Sequence, residues 1–416
     1  MPIDFTLTPE QHELQRSARQ FARDVLSQVK PATDHLVTPQ ARFAATRPIY
    51  AELIKAGFLR RMLPVPFGGG GTGMLDMAIV AEEFHAVDVN VSLTMFATLL
   101  GLLPVCFGGT PEQHRDLLGP FLEPAGTPLA ALCNSEPGGS ANFASPAPGE
   151  GVRTSATLEG DEWVIHGTKQ WVSSATGWDG EGADLLTIVC RTDPTAPPER
   201  AISVLAVPRP RGVVLERAHE SMGHRAHLTP RFRLEGVRTA ARNALGPVGG
   251  GKALVDASFT GTAALVGVFG TALMRAAFGF ALRFAQTQKR GGVLPIIEHQ
   301  AVGYALADAK TALEATRYLN WRACHALDNQ LPGATELALQ AKIFGSETAV
   351  RVITELMRVV GIDSYDHELP LAGWLQDALV LPIFDGGNMG VRRRQLHELL
   401  KHPDFDPLAA AGGSSV

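Results

Sequence analysis

An α+β fold is predicted for this 416-residue chain from three features of its sequence. The first part carries helical signals. A middle stretch alternates polar and apolar residues between Pro, Gly and Asp. Long helical patterns then return. Helices, a β insert and longer helices suggest a small β domain between two helical ones. The expected boundaries are 1–127, 128–246 and 247–405, with a disordered tail over 406–416.

Taken in order, TPEQ at positions 8–11 is a capping box with proline in the first turn, and TPEQ recurs at 110–113. Between them, 49–56 ends at Gly57 and 74–86 has helical periodicity. TSATLEGDEWVIHG alternates around a Gly-Asp turn, which signals a hairpin. ADLLTIVCR and AISVLAVPR are short β-rich runs. Helical patterns then cover 253–288, 298–328 and 335–360, with a shorter one over 369–380.

Hydrophobic residues make up 45%, enough for a sizeable core, and a net charge of -5 leaves no basic footprint for nucleic acid. Cys106, Cys133, Cys190 and Cys324 stand far apart without a CxxC pair. That argues against zinc and against a disulfide framework, and points to a reducing, cytoplasmic setting. The start MPIDFTLTPEQ lacks the features of a signal peptide. The apolar stretch 262–282 has 21 residues, the length of a membrane span. Arg275 falls past its middle, where charge is costly, and its Ala and Gly suit close helix packing. A buried bundle helix is expected, with no membrane partner.

Two glycine-rich stretches imitate nucleotide sites. Gly68, Gly70 and Gly73 fit GxGxxG, but Pro64 and Pro66 stand where a strand is needed. GPVGGGK at 246–252 resembles a phosphate loop, but Ala253 replaces the required Ser or Thr. Both read as structural loops.

Four stretches carry chemistry. CNSEPGGSAN at 133–142 combines hydroxyls, an amide and Gly-Gly, so it reads as an anion-facing loop or a structural one. KQWVSS at 169–174 pairs hydroxyls with a tryptophan that a core position also explains. RGGVLPIIEHQAV at 290–302 links two long helices with Arg, His and Gln that suit phosphate or plain loop contacts. LPIFDGGNMGVRRRQ at 381–395 sets one acid, Asp385, between an apolar run and Gly-Gly, ahead of three arginines. Asp385 reads as a helix N-cap or a functional acid, and Arg393 and Arg394 as a solvated face.

Together these stretches resemble the acyl-CoA dehydrogenase superfamily over nearly the whole chain. CNSEPGGS is similar to its "TEPGAGSD" segment and GTKQWVSSA to "GxKxWITNG". RGGVLPIIEHQAV is similar to "RxxFGxxLxxHQ", and FDGG to "YEGT". The resemblance implies an N-terminal helical domain, a middle β-barrel domain and a C-terminal four-helix bundle, assembled as a homotetramer. It also implies non-covalent FAD. Asn134, Ser135, Trp171 and Ser173 would line the isoalloxazine ring, with Leu132 and Gly387 in the same site and Ser140 near the pyrophosphate or substrate. Arg290, His299, Gln300, Arg358 and Gly361 would meet the cofactor from a neighbouring subunit.

Within the superfamily the chain more closely resembles the nitroalkane oxidase branch. Dehydrogenases carry a glutamate at the position of Asp385, and an arginine that holds the CoA ester where Thr262 stands. The oxidases have aspartate and serine there. The resemblance implies that Asp385 takes the α-proton of a neutral nitroalkane, with Arg392 orienting it and Thr262 nearby. An aldehyde or ketone, nitrite and, with O₂ as acceptor, H₂O₂ would follow. The alternatives are acyl-CoA desaturation and a non-catalytic flavin-binding protein.

Overall fold

The computed structural model describes residues 5–71, 73–146 and 149–411. Both TPEQ boxes form. Thr8 starts α1 (Pro9–Asp24) and Thr110 starts α5 (Pro111–Leu122), each hydroxyl accepting from the third amide while the Gln side chain returns to the Thr N–H. Between them lie α2 (Pro39–Lys55), α3 (Met74–His85) and α4 (Val89–Gly108). Helix α4 is buried along nearly its whole length, which its apolar sequence requires.

The middle domain is one eight-stranded mixed sheet: β1 (Ala130–Cys133), β2 (Ser155–Glu159), β3 (Glu162–Gln170), β4 (Leu185–Arg191), β5 (Ile202–Pro208), β6 (Val213–Ala218), β7 (Pro230–Ala240) and β8 (Ala244–Leu245). The expected hairpin is β2–β3, antiparallel with Ser155 opposite His166, and ADLLTIVCR and AISVLAVPR pair as β4–β5. The ladder runs β6-β7-β3-β2-β4-β5-β8, with β1 parallel to β4, so β6 and β8 end the path.

The C-terminal bundle comprises α6 (Gly251–Thr287), α7 (Gln300–Asp328), α8 (Ala334–Val360) and α9 (Pro370–Leu379), each within two residues of the sequence pattern. Helices α6 and α8 touch backbone to backbone: a Cβ on Gly267 would meet Ala341 O at 2.6 Å. Helices α4 and α6 are long and apolar enough to cross a membrane, yet both are packed in the core. Arg275 explains the charge inside α6. It donates to Glu83 of α3 at 2.8 Å, and Arg19 of α1 donates to the same carboxylate at 2.8 Å. Arg317 of α7 pairs with neighbouring Glu82 at 2.9 Å. Two buried carboxylates on α3 therefore clamp α1 and the bundle. Burial raises Glu83, but the two arginines outweigh it and hold the carboxyl below its ordinary value.

Both glycine-rich imitations are structural. The N-terminus of α3 is filled by Asp328, whose carboxylate accepts from Met74 N at 2.6 Å and Leu75 N at 3.1 Å. Gly249 N donates to Ser203 Oγ at 2.9 Å, and Lys252 pairs with Asp256. Within the expected tail, Ala410 packs against the core close to Gly333, and its carbonyl accepts from Arg322 at 3.3 Å. Residues 412–416 lie outside the described residues.

Candidate active site

Where the sheet meets α4, α6 and α9 there is a cleft of about 1040 Å³. Ten of the sequence-predicted residues line it: Leu132, Asn134, Ser135, Ser140, Trp171, Ser173, Thr262, Asp385, Gly387 and Arg392. Leu93, Phe96, Phe259, Phe269 and Phe384 give it apolar walls. Its size is at the upper end of the usual ~300–1,000 Å³ of ligand sites.

Asp385 sits on a sharp turn at φ 50°, followed by Gly386 at φ 71°. Helical structure resumes only at Asn388, after the N-cap Gly387, with a π turn over Asn388–Arg392 leading into α10 (Arg393–Leu400). Asp385 caps neither, so the N-cap reading is set aside. Its side chain turns inward instead. Arg392 Nη2 donates to Asp385 Oδ2 at 3.2 Å and to the Asp385 carbonyl at 2.7 Å, while Nε reaches that carbonyl at 3.1 Å. Arg392 also donates to Phe259 O at 3.1 Å and Gln395 Oε1 at 3.1 Å. The guanidinium is fully buried and the carboxylate 9% exposed. The Gly-Gly pair is what lets the arginine in: a Cβ on Gly386 would lie 2.9 Å from Arg392 Nε.

Thr262 Oγ1 lies 3.4 Å from Asp385 Oδ1, and equally 3.4 Å from Ser258 O and Phe259 O. One hydroxyl proton serves three long contacts, so Arg392 is the main partner of the acid.

The opposite wall is built by two linked motifs. Lys169 of KQWVSS is wholly buried and donates to Glu136 of the SEPGGS loop at 2.9 Å, and to Val189 O at 2.7 Å. Glu136 also accepts from Thr154 Oγ1 at 2.6 Å and Arg153 N at 2.8 Å. Truncating one member of such a pair costs about 3–5 kcal/mol. This ion pair fixes the loop carrying Asn134, Ser135 and Ser140 against the turn carrying Trp171 and Ser173. Trp171 is no core residue. It adopts φ 60°, is 54% exposed, and stacks on His219 at 3.9 Å.

Residues the sequence reading missed stand behind this wall. His227 Nε2 lies 2.9 Å from Ser173 Oγ, and its Nδ1 lies 3.1 Å from Thr94 Oγ1. Thr94 Oγ1 also lies 2.9 Å from Asn90 O, so the His227 ring bridges Thr94 of α4 and Ser173. Burial, aided by His224, pulls His227 down to about 3, and burial pulls His224 to about 4. His224 N donates to Asp377 Oδ1 at 2.7 Å, and burial pushes that carboxyl up to about 7. None of these residues sits in a recognisable motif, and isolated histidines in sequence gave no signal.

The other five predicted residues do not line this cleft. Arg290 donates to Val360 O at 2.8 Å and pairs with Asp363 at 2.7 Å, beside Gly361. Gln300 donates to Tyr304 near the start of α7, with His299 exposed before it, and Arg358 pairs with Glu355. Around Arg290 and Gly361, Val293, Leu294, Ile362 and Tyr365 are exposed. Arg393 and Arg394 are exposed, as expected of a solvated face, and each makes a surface contact: Arg393 with Glu347 at 2.7 Å and Arg394 with Asn142 at 3.0 Å.

The chain matches the acyl-CoA dehydrogenase N-terminal domain over residues 8–124, the middle domain over 131–237 and the C-terminal domain over 249–400. A nitroalkane oxidase from Podospora anserina is 41% identical over 436 aligned positions, covering 100% of both chains. One from Fusarium oxysporum is 37% identical over 99% of this chain and 98% of its own. An active-site mutant of nitroalkane oxidase crystallised with 1-nitrohexane superposes with a TM-score of 0.96, at 37% identity, over 99% of this chain and 100% of that one. Butyryl-CoA dehydrogenase from Megasphaera elsdenii, 24% identical, shares the fold with a TM-score of 0.85 over 96% of this chain and 100% of its own. The domain order and the end-to-end match agree with the carboxylate–arginine pair in the cleft: the chain belongs to the acyl-CoA dehydrogenase superfamily, in its nitroalkane oxidase branch.

Proposed function

We propose that the protein is an FAD-dependent nitroalkane oxidase that converts a neutral nitroalkane, water and O₂ into an aldehyde or ketone, nitrous acid and H₂O₂. The observation that carries this reading is Asp385, a carboxylate paired with buried Arg392 at the end of an apolar cleft, with Thr262 beside it.

The residues fit FAD. Trp171 offers an exposed aromatic face, Asn134 Oδ1 is buried without a protein partner, and Ser173 lines the cleft with its hydroxyl held at 2.9 Å from His227 Nε2. Ser135 and Ser140 add hydroxyls along the same wall. When bound, FAD accepts the substrate's electrons and passes them to O₂. The chain's own residues do the rest. Phe96, Phe259, Phe269 and Phe384 take the alkyl part and exclude water. Asp385 receives the α-proton, which the nitro group makes acidic by delocalising the charge left behind. Arg392 holds the carboxylate in one orientation. An acyl-CoA ester would find no cation where Thr262 stands, so desaturation is the weaker reading.

The exposed apolar patch of Val293, Leu294, Ile362 and Tyr365 around Arg290 supports a homo-oligomer, in the family a tetramer. Arg290, His299, Gln300, Arg358 and Gly361 then face a neighbour's cofactor; sedimentation of a monomer with full FAD content would reject this. The reaction is tested by aerobic turnover of 1-nitrohexane. Aldehyde, nitrite and H₂O₂ should form in equal amounts. Turnover without nitrite would overturn the reading.

A further inference from the structure

Helix α8 carries a lysine where its apolar stripe calls for a core residue. Lys342 lies among Ala338, Ala341, Gly345 and Ala349, all buried, and its own side chain has no exposed surface. Its Nζ donates to two acceptors: Leu381 O at 2.7 Å and Asn388 Oδ1 at 3.0 Å. Those residues bracket the loop that projects Asp385. Asn388 N closes the loop base on Pro382 O at 2.9 Å. The Asn388 amide donates back to α8, to Ser346 Oγ at 3.0 Å and Glu347 Oε1 at 3.0 Å. One stripe of α8 therefore grips both ends of a loop whose middle holds the strained backbone of Asp385 and Gly386.

A buried ammonium is costly unless its protons are engaged, so an apolar residue would be the stable choice if packing were all that mattered here. Burial draws Lys342 down to about 7, opposed by the charge of Asp385. Lys342 is also absent from the cleft lining, so it touches no substrate.

We propose that Lys342 is a positioning residue for proton abstraction: through Leu381 and Asn388 it sets where the Asp385 carboxylate stands. The inference rests on the nitroalkane reading of the site. A displacement of about 1 Å in a reacting group costs on the order of 100-fold in rate. The effect should fall on the one step that uses the carboxylate as a base.

The test compares FAD reduction, without oxygen, by neutral 1-nitrohexane and by its preformed nitronate, which needs no deprotonation. In holoenzyme carrying Lys342→Met, reduction by neutral 1-nitrohexane should slow roughly 100-fold. Reduction by the nitronate and FAD content should stay near wild type. Asn388→Ala keeps the Leu381 contact and guards against a Lys342→Met protein that fails to fold. It should show the same selective loss, reduced in size. Lys342→Arg, which keeps charge and donors, should recover part of the lost rate. Equal slowing with both compounds in a folded variant, or no slowing with the neutral one, would overturn the role. Wild-type flavin reduced by neither compound would instead overturn the nitroalkane reading, and this inference with it.

Discussion

At Asp385 the chain accepts a left-handed backbone that an aspartate tolerates better than most residues, at φ 50°. What it gains is direction. The turn carries the carboxylate away from the following helix and onto Arg392, which also braces the Asp385 carbonyl with two donors. Backbone and side chain are held by one guanidinium, so the acid has little freedom to search for its proton. Asp385→Asn keeps the shape and the Arg392 contact to the carbonyl but removes the base. FAD content should be unchanged and reduction by neutral 1-nitrohexane should fall by about 10²- to 10⁴-fold, the usual range for a lost general base. The nitronate should still reduce the variant. Equal rates for wild type and variant with neutral substrate would leave Asp385 without a chemical role.

At the scale of elements, the sequence disclosed what periodicity encodes. The ends of α6, α7, α8 and α9 were legible because their apolar stripes and glycine or proline stops are local signals. The β2–β3 hairpin was legible for the same reason. Partners brought together from distant parts of the chain, 39 to 153 residues apart, were not. Lys342, His227 and Asp377 lie in no motif of the sequence, so nothing local singled them out. Only folding places His227 between Thr94 of α4 and Ser173, 54 residues before it. Taken alone, Trp171 was explained equally well by a core position; only its motif pointed to the cleft that it lines.

His227 gives this element scale a pH signature. Its folded value is depressed to about 3, whereas the unfolded residue titrates near ~6.5. Below ~6.5 the unfolded chain takes up a proton that the folded chain refuses, so this contribution to stability is lost as pH falls from there toward 3. His227→Gln lacks that loss. The stability gap between wild type and His227→Gln, read from urea midpoints, should narrow by about 2 kcal/mol from pH 7 to pH 5. A gap independent of pH would mean that His227 titrates alike in the folded and unfolded chain.

Across the whole molecule, charge is placed at the seams. Glu82 and Glu83 of α3 join the N-terminal helices to the bundle through Arg19, Arg275 and Arg317. Lys169 and Glu136 fasten two loops of the middle domain. Arg394 ties α10 to Asn142 across the cleft. The cleft is assembled from three domains, and two of these contacts, through Glu136 and through Arg394 and Asn142, border it. The base, its arginine and the apolar lining all arrive from the C-terminal domain and α4. The Trp171 and Ser173 wall arrives from the sheet. Such a site suits a compact carbon acid whose charge delocalises within the substrate itself, because Asp385 is paired with Arg392 and has Thr262, not a second cation, beside it. The central claim is tested most directly by mixing the oxidised holoenzyme, without oxygen, with 1-nitrohexane and separately with a straight-chain acyl-CoA ester. Bleaching of the flavin's visible absorbance by 1-nitrohexane, with nitrite released and no response to the acyl-CoA ester, is the predicted result. Bleaching by the acyl-CoA ester alone, with an enoyl product, would contradict it.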